Sequence, residues 1–110
     1  MDVYRVAPLG DPLDAVVEVP GSKSVTNRAL ICAALAEGDT VLRGVPDGDD
    51  TEAMLDCLRA LGLNVERSDV DARIEGGLSL FKRGPVTLAA RLAGTTSRFV
   101  TALAALGPGP

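Results

Sequence analysis

PGSKSVTNRALICAALAEG, residues 20–38, is the stretch on which the fold turns. Pro20-Gly21 breaks whatever precedes it, and the spacing predicts a helix from about Ser24 to Glu37. A hydroxyl residue stands at its start and Gly38 follows as a left-handed stop. From Ala29 onward the helix is apolar on every side, as expected of a helix buried all round rather than lying on a surface.

On the amino-terminal side, residues 3–8 and 14–19 are two short extended candidates separated by Gly10-Asp11-Pro12, the second rich in branched side chains. Both are expected to be strands. On the carboxyl-terminal side a strand is predicted over Thr40 to Val45, then a turn at Pro46-Asp47-Gly48. Met54, Cys57, Leu58 and Leu61 then recur at helical spacing, with Glu52, Asp56 and Arg59 on the opposite side. Asp49 with Glu52 resembles a capping box, and Gly62 closes this second helix. Leu63 to Glu66 and Ala72 to Glu75 read as a hairpin about Ser68-Asp69; residues 76–85 are loop-like, and Val86 to Ala90 reads as a strand. A last helix opens at Thr95 or Thr96, with Phe99, Ala102, Leu103 and Leu106 on one face. The order is ββαβαβββα, an α/β chain whose elements each carry an apolar face, as in a piece of something larger.

One domain's worth of chain is present, 110 residues with 46% hydrophobic composition but only one Tyr and two Phe. An Ala, Leu and Val core of this kind must rely on close packing. Without a histidine, the chain completes no Ser-His-Asp triad, Cys-His pair or His-rich zinc site by itself. Fifteen Asp plus Glu against eleven Lys plus Arg argue against capture of nucleic acid, which needs a basic stripe. Cys32 and Cys57 stand alone in apolar patterns and are expected to be small core residues in a reducing compartment. The run Ala29 to Ala36 is too short to cross a bilayer, and MDVYRVAP lacks a cationic lead before an apolar stretch. A cytoplasmic protein without a membrane partner is expected.

The chemistry concentrates at two junctions. Pro20 to Arg28 puts a small backbone, two hydroxyls and Lys23 at a helix amino end, where free N–H groups and the dipole favour an anion. Gly21 would let a ligand approach the backbone, and Arg28, four residues after Ser24, could take a second anionic group bidentately. Ala93-Gly94-Thr95-Thr96-Ser97-Arg98 is a second junction of the same composition. If both helices bring their amino ends together, they form one electropositive pocket for a small substrate bearing several negative groups. Two unrelated caps would leave the same sequence trace. Asp47, Asp49 and Asp50 could serve a metal or a proton transfer, or simply cap a helix.

VPGSKSVTNRALICAALAEGDTVLRGVPDGDDTEAMLDCLRALG, followed by LAGTTSRFVTALAAL, resembles the amino-terminal part of the 5-enolpyruvylshikimate-3-phosphate synthases, the 3-phosphoshikimate 1-carboxyvinyltransferases. PGSKS with NRAL beginning seven residues after its Pro separates this family from the sister enolpyruvyl transferases acting on UDP-N-acetylglucosamine. The resemblance implies transfer of the enolpyruvyl group of phosphoenolpyruvate to the 5-hydroxyl of shikimate 3-phosphate, on the route to chorismate and the aromatic amino acids. It implies neither metal nor organic cofactor. It places Lys23 and Asp50 among the catalytic groups, Lys23 against both substrates, Ser24 and Arg28 on shikimate 3-phosphate, and Gly94 on phosphoenolpyruvate. Arg98 matches an arginine of the third helix with a structural or domain-closure role.

The fold implied is a pair of domains built from inside-out α/β units, helices within and sheets outside. Residues 1–19 would belong with the second domain and 20–110 with the first. The remaining, carboxyl-terminal part of the enzyme is then a required partner, and a chain of this span is inactive alone. Arg91-Leu92 departs from the Gly-Asn that many members carry, which removes an asparagine contact to phosphoenolpyruvate. A non-catalytic module binding small anions, or a different enolpyruvyl transferase, are the alternative readings.

Overall fold

A computed structural model describes residues 2–108. Helix α1, Lys23–Leu35, begins where the Ser22 hydroxyl accepts from the Val25 amide at 3.3 Å, so the cap is Ser22 rather than Ser24. Strand β1 (Gly38–Arg43) follows, then helix α2 (Asp49–Ala60), strands β2 (Asn64–Arg67) and β3 (Asp71–Gly76), a 3-10 turn at Leu78–Leu80 and helix α3 (Gly94–Ala105). The strands form an antiparallel sheet in the order β1-β3-β2, with Thr40 opposite Ile74 and Val65 opposite Ile74 on the other side.

Alternation decides which face of the sheet is covered. Ala72, Ile74 and Gly76 of β3 point inward and are buried, whereas Arg73 points outward, bonded to Asp39 of β1. The inner face rests on α1, and the approach is very close: a Cβ on Gly76 would lie 1.9 Å from the Ala33 carbonyl oxygen. Just beyond, the Gly77 amide donates to the Ala34 carbonyl at 2.9 Å, satisfying one of the carbonyls freed at the end of α1. The core joins Leu30 of α1, Met54, Leu55 and Leu58 of α2, Ile74 of β3 and Leu103 of α3. Fully burying each such chain contributes roughly 1.5–3 kcal/mol.

Several expectations are corrected. Residues 2–19 form no strand and are exposed throughout, because no partner strand meets them; a lone pair of strands is marginal in water however branched its residues. This arm stretches the molecule to a radius of gyration of 18.0 Å, against about 13 Å for a compact chain of this length. Val86 to Ala90 also joins no ladder, although Val86, Leu88 and Ala90 are half-buried between exposed neighbours. The period of two is present, and only the hydrogen-bonding partner is missing among the described residues. The observed order is therefore αβαββα with a 3-10 turn, rather than ββαβαβββα.

Helix α1 is covered on one side only. Leu30, Ala33 and Ala34 are buried, while Val25, Cys32 and Leu35 are exposed, since the preceding arm does not fold back over them. The capping box is not formed: Gly48 is the cap residue of α2, and Asp49 is its first helical residue. On α3 the inward face is Thr96, Val100 and Leu103, with Ala102 and Leu106 exposed.

The two cysteines consequently differ. Burial pushes the Cys57 thiol above its usual range, with Asp56 adding to the shift, so it stays protonated at neutral pH. An acid group raised in this sense contributes stability that is present below its unfolded pKa and lost as pH rises through the folded one. In the 110-residue chain at pH 7.5, a maleimide should modify Cys32 within minutes and Cys57 only after denaturant is added. Equal rates for the two, read by mass spectrometry of the peptides, would contradict this burial.

Candidate functional site

All three helices begin at one place. Asp50, the second residue of α2, holds the Lys23 ammonium of α1 at 2.9 Å through its carboxylate. Its main-chain carbonyl accepts from the Thr96 hydroxyl of α3 at 3.1 Å. Thr96 is fully buried, so this bond fixes the first turn of α3 against the first turn of α2 in a place where water cannot replace it. The helices also pack pairwise against one another.

Each amino end is left with donors to spare. At α1 the Ser22 cap takes the Val25 amide, and the amides of Lys23 and Ser24 have no intrahelical partner. At α3 the cap position is Ala93, which offers no side-chain acceptor. At α2 the cap is Gly48, also without one, and three acidic residues, Asp49, Asp50 and Glu52, occupy the first turn to complement the dipole.

The acidic cluster is not gathered around one point. Asp47 pairs with Arg67 at 3.3 Å, Asp49 with Arg91 at 3.3 Å, and Asp50 with Lys23. Each carboxylate thus answers a different cation. Among the described residues no group of three His, Cys, Asp or Glu comes together as a metal cage.

Of the residues singled out from sequence, Lys23 and Asp50 are in direct contact, and Ser24 is next to Lys23 on the exposed start of α1. Arg28 lies one turn further, exposed and without an ion pair among the described residues. Gly94 is the first residue of α3, exposed, and a Cβ placed on it would meet nothing within 4 Å. Arg98 is exposed one turn up α3, and no described contact ties it to the Lys23–Asp50 pair. The surface is open: Lys23, Ser24, Gly94, Thr95 and Ser97 all face solvent. Gly21 has a different reason for its identity. Its Cβ would fall 2.1 Å from the Gly44 carbonyl oxygen, so it admits the neighbouring main chain rather than a ligand.

The contacts of three contributors, Arg67, Arg91 and Asn27, could not be read from sequence. Arg67 is only 15% exposed at its side chain; it donates to the carbonyls of Val45 and Pro46 at 3.3 and 3.4 Å, and pairs with Glu52 at 3.6 Å. It therefore secures the bend that delivers Asp49 and Asp50. Arg91 reaches back to α2. Asn27 is fully buried, and neither atom of its carboxamide has a hydrogen-bond partner, an arrangement that costs about 1–3 kcal/mol. None of the three has a local sequence signal, since the Val45, Pro46 and Asp47 partners of Arg67 and the carboxylate partners of Arg91 lie 20 or more residues away and the cost at Asn27 depends on packing.

Comparison with known proteins agrees with this geometry. The family model described as EPSP synthase (3-phosphoshikimate 1-carboxyvinyltransferase) matches residues 9–110. The 3-phosphoshikimate 1-carboxyvinyltransferase of Nostoc punctiforme is 42% identical over 113 residues, covering 99% of this chain and 26% of that protein. That of Opitutus terrae is 43% identical over 111 residues, covering 97% and 26%. Among solved structures, EPSP synthase from Acinetobacter baumannii superposes with a TM-score of 0.72 at 31% identity, over 79% of this chain and 20% of that one. The inside-out arrangement, helices behind an outer sheet, is thus that of a partial EPSP synthase domain. The chain spans about a quarter of the length of these relatives, and it belongs to the EPSP synthase (3-phosphoshikimate 1-carboxyvinyltransferase) family.

Proposed function

We propose that this chain supplies the amino-terminal share of an active site that transfers the enolpyruvyl group of phosphoenolpyruvate to the 5-hydroxyl of shikimate 3-phosphate, with release of phosphate. The observation that carries the reading is the meeting of three helix amino ends at Asp50, with the Lys23 ammonium 2.9 Å from that carboxylate. Both substrates are polyanions, and unspent amides with a compact cation are the groups that hold them. Lys23 serves both, Ser24 and Arg28 hold shikimate 3-phosphate, and Gly94 leaves the start of α3 bare for the smaller substrate. Asp50 sets the position of the Lys23 ammonium and stands ready as a proton carrier beside it. Arg98 acts in closure. No metal or organic cofactor enters this reading.

The exposed apolar arm, residues 2–19, supports its assignment to a second domain, with residues 20–110 in the first. The remainder of the enzyme is the required partner, because reacting atoms are positioned from both sides. A cytoplasmic location follows from the pathway; for the described residues, no helix is long and apolar enough to cross a membrane.

Two substitutions test the division of labour in a chain of the relatives' full length that carries this segment. Arg28→Ala should raise KM for shikimate 3-phosphate by about tenfold or more, the value of a lost charge-assisted contact, and leave KM for phosphoenolpyruvate nearly unchanged. Gly94→Ala should do the reverse. Its Cβ enters open space in this structure, so a selective loss reports the ligand and not a damaged fold. Equal effects on both substrates would refute the assignment.

A further inference from the structure

The turn that leads into α3 holds a residue in a conformation unsuited to it. The Ala93 amide donates to the Ala90 carbonyl at 3.1 Å, closing a four-residue turn in which Arg91 is the first central position. Its φ is 55°, the only positive value at a non-glycine residue among those described. Turns with a left-handed first central residue favour glycine there, since a Cβ crowds the following carbonyl. The arginine is held in place by its side chain. One guanidinium nitrogen lies 2.8 Å from Asp56 and another 3.3 Å from Asp49, carboxylates two turns apart on the same face of α2. Asp56 is itself steadied by Arg59 at 2.9 Å through its other oxygen. Two residues beyond the turn's Arg91 comes Ala93, the uncapped start of α3, and then Gly94.

We propose that Arg91 is a positioning residue. Clamped across Asp49 and Asp56, it holds the Ala90–Ala93 turn so that the free amides at the start of α3 keep their place relative to Lys23 and Asp50. The buried Thr96 bond fixes the helix from one side, and the Arg91 clamp fixes the entering chain from the other. With no side-chain cap at Ala93, these two polar tethers add to the packing of Val100 and Leu103 in setting where the first amides of α3 lie. The inference rests on the reading that this helix end receives phosphoenolpyruvate, and it specifies how the chain orients the site for that substrate.

The test uses Arg91→Ala, Asp56→Asn, their double variant, and Arg91→Gly in a chain of full family length. Arg91→Ala and Asp56→Asn should each raise KM for phosphoenolpyruvate about 3- to 5-fold, the upper end of what loss of a partly exposed ion pair gives. KM for shikimate 3-phosphate should stay within twofold. The double variant should be no worse than the more damaging single one, because both remove the same clamp. Arg91→Gly should keep thermal stability, glycine accepting the turn without strain, and still show the raised KM. Unchanged KM values, equal shifts for both substrates, or additive single effects would overturn the proposal. A second readout is independent of catalysis: hydrogen exchange of the 110-residue chain at the Ala93 and Ser97 amides, bonded to the carbonyls of Ala90 and Ala93, should quicken several-fold in Arg91→Ala and in Asp56→Asn. Quickened exchange in an enzyme without enolpyruvyl transfer would support the clamp and reject the substrate reading. Unaltered exchange would reject the clamp whatever the activity.

Discussion

Lys23→Ala, made in a chain of the relatives' full length, is expected to lower kcat/KM by roughly two orders of magnitude or more for each substrate. A charge-assisted contact in a protected site is worth about 1.5–3 kcal/mol, equivalent to some 10- to 150-fold, and Lys23 is placed to contact two anions. A second effect works in the same direction. Without the ammonium, the Asp50 carboxylate, only 27% exposed, presents an unneutralised negative charge to incoming anions. Asp50→Asn separates the two contributions. If Asp50 only positions Lys23, the amide should preserve much of the binding, whereas a proton-carrying role predicts a fall in kcat at little change in KM. Stability should hardly move, because an exposed pair of this kind contributes about 1 kcal/mol at most. Steady-state kinetics with thermal melts decide the matter, and a Lys23→Ala enzyme within twofold of the parent would end the proposed role.

The largest effect on folding is expected from Gly76→Ala. The added methyl would lie 1.9 Å from the Ala33 carbonyl oxygen and 2.6 Å from that of Ala36. Both obstacles are main chain near the end of a helix, so neither can swing aside as a side chain would. Either β3 lifts from α1, exposing Ala72 and Ile74, or the last turn of α1 unwinds and loses the Gly77 bond to Ala34. Overpacking against rigid groups costs about 3 kcal/mol or more, a large share of what a domain of this size possesses. Thermal unfolding followed by circular dichroism should shift down by about 10 °C or more. Gly10→Ala is the control, since its Cβ would meet nothing within 4 Å. A Gly76→Ala chain melting with the parent would show that the sheet does not rest on α1 as described.

Sequence was most informative where local rules suffice. Helix α2 follows from the spacing of Met54, Cys57 and Leu58, and the β2–β3 hairpin from its two short alternating runs; both stand within a few residues of expectation. It misled where the outcome depended on partners. Val16, Val17 and Val19 have the branching of strand residues, yet branching says only that a strand would suit them. Val86 and Leu88 show the same with burial but no ladder. At the site, the charged and hydroxyl residues of both junctions could be read from composition and turn chemistry. Their convergence could not, because the Thr96–Asp50 bond spans 46 residues and the Arg91–Asp56 pair 35. Only the packing of three helices distant in sequence brings them together.

The meeting of three amino ends has a thermodynamic corollary. Each helix end carries about half an elementary positive charge, and like charges gathered in one place oppose their own assembly. Asp49 and Asp50 relieve part of that opposition from within the chain. An anion arriving there relieves more, so its binding free energy and the cohesion of the bundle are linked quantities. Under the proposed reading, a bound anion would stabilise this end of the fold by an amount that grows with the logarithm of one plus the ratio of its free concentration to its Kd. If that reading holds, drift toward weaker helix packing would be sheltered by the bound anion, and its cost would become visible only when the anion is scarce.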